Sequence, residues 1–140
     1  MNEQLAGALA AEEAAIYAYG VIGVNLSGEG KRDQARAAEQ VHRGRRDWLV
    51  GRLDQIKASV APSPAGYELP FPVTDQASAL KLAVHIEDGV AQAWRPLLPV
   101  TEDADRNTAL SALIDAAVRA TRWRRLAGVS PVTLPFPGRP

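Results

Sequence analysis

The sequence predicts an all-α fold: one four-helix domain built as two antiparallel hairpins joined by a long crossover. Three observations carry this. Apolar residues recur every three or four positions in four long segments. Breakers separate those segments, and no run alternates with period two for long enough to argue a sheet. One connection, residues 61–73, is long and proline-rich, whereas the other two are short. With 140 residues, 46% of them hydrophobic and 23% charged, the chain suits a single domain (1–140) with a real core.

The first segment, about 3–26, places Leu5, Leu9, Glu12, Ile16 and Tyr19 on one face and ends at Ser27-Gly28-Glu29-Gly30. Residues 5–26 are apolar enough to resemble a membrane span, but Glu12 and Glu13 are costly in lipid, so a buried helix of a soluble protein is expected. Nearly the whole circumference of this helix is Ala, Gly, Val, Ile or Tyr. One core cannot cover all of it, and a second partner is expected: the C-terminal arm 128–140, another copy in a homodimer, or both. The second segment, about 31–60, aligns Ala38, His42, Arg45, Leu49 and Leu53 and stops before Pro62 and Pro64.

Residues 61–73 are expected to run extended. At about 3.1 Å per residue they reach roughly 40 Å, which matches the roughly 40–45 Å of the preceding helix. A connection of that reach makes helices two and three parallel. This is the ferritin-like arrangement of a four-helix bundle, with one crossover between two hairpins. The third segment, about 75–98, follows Thr74 as N-cap and aligns Leu80, Val84, Glu87, Ala91 and Trp94. The fourth, about 103–127, follows Thr101 as cap, aligns Leu110, Leu113, Ala117, Ala120 and Arg124, and ends at Gly128. Leu69-Pro70-Phe71-Pro72 after the first hairpin echoes Leu134-Pro135-Phe136-Pro137 after the second, which suggests two related halves, each a hairpin with an extended arm.

Charge and motifs narrow the function. The 16 basic and 16 acidic residues cancel, and the arginine clusters 43–52 and 119–125 alternate with acids and tryptophan, so no nucleic-acid partner is expected. There is no cysteine, hence no disulfide, thiolate metal site or cysteine nucleophile. No basic residue precedes Lys31, which is unlike a secretory signal; the expectation is a cytoplasmic protein without a membrane partner. No phosphate loop, dinucleotide fingerprint or Ser-His-Asp set is present, and no small-molecule substrate is identifiable.

The informative residues are the polar ones on apolar faces: Glu12, His42, Arg45, Glu87 and Arg124. A buried carboxylate must be protonated, paired or metal-bound. Dinuclear carboxylate bundles take one glutamate from each of two helices and a Glu-x-x-His from each of the other two. Glu12 and Glu87 match the single glutamates and Glu39-Gln40-Val41-His42 matches one Glu-x-x-His, but the corresponding positions of helix four hold Val118 and Thr121. Past the first turn of helix four the only acid, Asp115, points away from the seam. A site for one iron or manganese ion at Glu12, Glu39, His42 and Glu87 is the alternative reading. The preferred one is a metal-free polar core without cofactor, in which Arg45 and Arg124 neutralise Glu12 and Glu87 while Glu39 pairs with Arg43 on the surface. His85 falls on the far face of helix three, Tyr17 and Tyr19 read as packing aromatics, and Glu13 as a flank residue.

Several stretches carry a family resemblance: Ala14-Ala15-Ile16-Tyr17-Ala18-Tyr19-Gly20, His42-Arg43 with Arg45-Arg46-Asp47, Tyr67 with Leu69-Pro70, residues 91–95, Ala120-Thr121-Arg122-Trp123, and Phe136-Pro137-Gly138. In these the chain resembles an actinobacterial family of ferritin-like proteins classed as domain of unknown function 4439. The resemblance implies the four-helix fold and no established activity. It also implies a histidine after the first-helix glutamate, where this chain has Glu13. The expected function is a non-catalytic structural or interaction module with a degenerate di-iron site. The alternatives are an iron- or manganese-dependent oxidase or iron-handling protein with a reduced site, and a small-ligand binder using a gap in the Ala-rich core.

Overall fold

The computed structural model describes residues 1–140. It is all-helical: α1 spans Asn2–Asn25, α2 Glu29–Gln55, α3 Gln76–Trp94 and α4 Asp103–Ala127, with a 3-10 helix over Arg95–Val100 and no strand. Side-chain pairs fix the helix directions. Glu12 and Tyr19 of α1 meet Trp94 and Glu87 of α3, so those helices are antiparallel. His42 and Trp48 of α2 meet Glu87 and Trp94 of α3, so these run parallel. Arg45 and Arg52 of α2 meet Asp115 and Asp105 of α4, antiparallel again. Residues 56–75 form the crossover that this arrangement requires.

The core divides into two apolar clusters. One gathers Leu5, Leu9, Leu49, Leu53, Trp94 and Leu97. The other gathers Tyr19, Ile22, Leu80, Leu82 and Trp123. Each fully buried leucine or isoleucine contributes about 1.5–3 kcal/mol of transfer free energy. Glu12, His42 and Glu87 lie at the waist between the two clusters, each flanked along its helix by members of both. Alanines dominate the contact faces, among them Ala8, Ala15 and Ala18 on α1 and Ala109, Ala112, Ala116 and Ala120 on α4. Such small side chains allow backbones to approach closely. By length and composition alone α1 is long and apolar enough to cross a membrane. In this fold it packs against α2 and α3, with Glu12 facing the protein interior.

Several helix ends differ from the sequence expectation. Helix α2 stops at Gln55, five residues short of Val60. Lys57 adopts φ 55°, the Lys57 N–H donates to Asp54 O and the Ala58 N–H to Leu53 O, which closes a Schellman turn. The crossover is correspondingly longer than 61–73. Helix α3 ends at Trp94, not 98, because Pro96 lacks an N–H to continue the ladder, and the chain tightens into 3-10 geometry. The N-cap of α3 is Asp75, not Thr74: its carboxylate accepts from the Ser78 N–H at 2.8 Å in a capping box. Ahead of α4, the Thr101 hydroxyl donates back to Leu97 O at 2.6 Å, and Glu102 takes the cap position. Helix α4 closes on Gly128 at φ 71°, in the same Schellman pattern as α2.

Helix α4 buries Leu113, Ala120 and Arg124 of the expected seam, but its buried face is wider and leaves Leu110 out. Leu110 is 43% exposed, whereas Ala109, Ala112, Ala116 and Trp123 are buried. The alanine face packs inward because it permits the tight α3–α4 contact that the larger Leu110 and Ile114 would block.

Candidate functional site: a buried carboxylate–imidazole–carboxylate cluster

Three titratable side chains from three helices meet at the waist. Glu12 and Glu87 are 0% exposed and His42 is 1% exposed. His42 Nδ1 lies 2.5 Å from Glu12 Oε2, and Nε2 lies 2.9 Å from Glu87 Oε2. With both glutamates ionised each ring nitrogen donates to a carboxylate oxygen, and the ring is then an imidazolium. Burial alone opposes that charge. The hydrogen bonds to Glu12 and Glu87, with the negative charge of both, outweigh it and raise the His42 pKa from 6.5 to about 9.

Indole and phenol donors complete the cluster. Trp94 Nε1 donates to Glu12 Oε1 at 2.6 Å. The Tyr19 hydroxyl donates to Glu87 Oε2 at 2.6 Å and accepts from Trp123 Nε1 at 2.9 Å. Burial, and then the Glu87 charge, push the Tyr19 phenol well above its ordinary range, so it remains a donor. The Tyr19 ring also stacks on His42 with centroids 5.5 Å apart. Arg119 Nη1 reaches Glu87 Oε1 at 3.3 Å and holds Asp115 at 2.9 Å. Burial opposes the Arg119 charge, but Glu87 and Asp115 raise its pKa and keep it cationic. The two carboxylates thus face two cations, His42 and Arg119.

Of the residues singled out in the sequence, Glu12, His42 and Glu87 come together, and Arg45 and Arg124 stand apart from them. Arg45 pairs with Asp115 at 3.5 Å and lies 6.0 Å from the Trp94 ring centroid. Arg124 pairs with Asp88. The neutralising role expected of these two falls to His42 and to Arg119, which reaches Glu87 from α4. Glu39 lies at the edge of α2 and pairs with Arg43 at 3.5 Å, away from the cluster. His85 is exposed and edge-on to Phe71, and Glu13 accepts a long 3.5 Å bond from Tyr67, whose ring packs on Tyr17.

Trp94, Trp123, Arg119 and the donor role of Tyr19 were not foreseen. A signal existed for Trp94: a buried indole N–H needs an acceptor, and Glu12 and Glu87 are the buried carboxylates on offer. Of the four metal-ligand candidates, Glu12, His42 and Glu87 converge and Glu39 stands apart, and the His42 ring fills the space between the two glutamates. No group of three or more His, Asp or Glu side chains is arranged to hold an ion.

A family model described as a domain of unknown function (DUF4439) matches residues 4–140. The chain belongs to this family. A crystal structure of a conserved hypothetical protein from Mycobacterium tuberculosis is similar to this DUF4439 chain at 40% identity, with a TM-score of 0.83 over 89% of this chain and 95% of that one. Comparison of the DUF4439 chain with curated proteins finds no match.

Proposed function

We propose that this protein is a ferritin-like helical bundle in which a protonated histidine stands where a metal ion would bridge the glutamates, and that it works as a non-catalytic structural or interaction module. The observation that carries this is the placement of both His42 ring nitrogens on carboxylate oxygens, at 2.5 and 2.9 Å. A ligating histidine must offer an unprotonated nitrogen to the metal. A histidine bound at both nitrogens by acceptors has none to offer. The remaining oxygen of Glu12 accepts from Trp94, and that of Glu87 faces Arg119. Burial of all three residues also denies a solvent-borne substrate access to them. The up-down-down-up order of helices, with its long crossover, supports the ferritin-like assignment. Elemental analysis of protein purified without added metal tests the reading: iron and manganese well below stoichiometric amounts are expected. One equivalent per chain that is lost on His42→Ala would restore the oxidase or iron-handling alternative.

A further inference from the structure

The C-terminal arm roofs a cavity that is separate from the waist cluster. It lies in the groove between α3 and α4, has a volume of about 200 Å³ and is partly open. Its walls combine an apolar body, from Ala91, Ala117, Val118, Leu134 and Pro137, with the charged groups Asp88, Arg124 and Arg139. Alanines at 91 and 117 leave the space that larger side chains would fill.

The roof is anchored at Gly138. This residue is buried and has φ 82°, and a Cβ there would lie 3.0 Å from Ala91 O and 3.0 Å from a Leu113 methyl. Only glycine allows the arm to sit this close with this backbone. Gly138 thereby sets Arg139 at the rim, where its guanidinium stacks 5.1 Å from the Phe136 centroid.

Charge selects the ligand. Arg124 is 6% exposed and is neutralised by Asp88. Arg139 forms no ion pair within the chain. The cavity therefore carries one uncompensated positive charge beside an apolar wall. We propose that it binds a small monocarboxylate with an aliphatic or aromatic body, its carboxylate on Arg139 and its apolar part against Leu134 and Val118. This does not rest on the metal-free reading of the waist.

The test titrates the full chain with hexanoate, hexanamide and hexylamine, following amide NMR shifts at residues 117–121 and 133–139. Hexanoate is expected to saturate at one site and to bind about fivefold tighter than hexanamide, the factor for one partly exposed ion pair. Hexylamine should bind more weakly still. Arg139→Ala, a change on the exposed arm, should abolish the preference of hexanoate over hexanamide while leaving the fold intact. Gly138→Ala should weaken all three ligands by displacing the roof. Equal binding of hexanoate and hexanamide, a preference that survives Arg139→Ala, or no saturable shift with any of the three would overturn the proposal.

Discussion

His42 holds two carboxylates apart by bonding both. Without it, Glu12 and Glu87 would face one another inside the fold with Arg119 as their sole cation, 3.3 Å from Glu87 alone. Removing one partner of a buried charge cluster costs about 3–5 kcal/mol, far more than an exposed pair, because the stranded charge stays desolvated. His42→Ala is therefore expected to lower the unfolding free energy by about that amount, measured by urea denaturation. Arg43→Ala, which removes only the half-exposed pair with Glu39, should change it by less than about 1 kcal/mol. Equal losses in the two variants would contradict the assignment. The three waist residues were legible in the sequence because polar groups interrupting apolar seams stand out. Their partners were not, because choosing among Arg45, Arg119 and Arg124 requires the rotation of α4 to within one residue, and periodicity does not fix it that closely.

At the scale of elements, breakers located the four helices well but mistook some ends. Pro62 lies well beyond the true end of α2, which is set by local geometry at Lys57. A lysine there pays the left-handed backbone cost that Gly128 avoids at the matching position of α4. Lys57→Gly is expected to stabilise the protein by about 0.5–1 kcal/mol, read as a shift in the urea midpoint with unchanged slope. A destabilised variant would show that the Lys57 side chain matters more than its backbone. The exposure of Leu110 on α4 has a physical source as well. Large apolar residues such as Leu110 and Ile114 draw the eye, but where helices approach closely the alanines go inside and the larger residues stay half exposed.

For the whole molecule, the waist cluster makes stability depend on pH. The His42 pKa is raised in the folded state, from 6.5 to about 9. Its contribution is fully present below pH 6.5 and is lost as pH rises through about 9. The shift corresponds to something on the order of 3 kcal/mol. Tyr19, also raised, adds to the loss at still higher pH. Thermal melts of the wild type should therefore fall between pH 7 and 10, and His42→Ala should flatten that decline. A decline of the same size in both proteins would place its cause elsewhere. Helix directions and the crossover followed from the reach of a proline-rich linker, a property of length and composition, which is why topology was legible where side-chain partnership was not.

The protonation of the His42 ring tests most directly the proposal that an imidazolium stands in place of a metal. Ring ¹⁵N NMR at neutral pH is expected to show both nitrogens protonated, with no change on adding a chelator or ferrous or manganous ions. A neutral ring with one bare nitrogen, broadened by a stoichiometric amount of either ion, would contradict it.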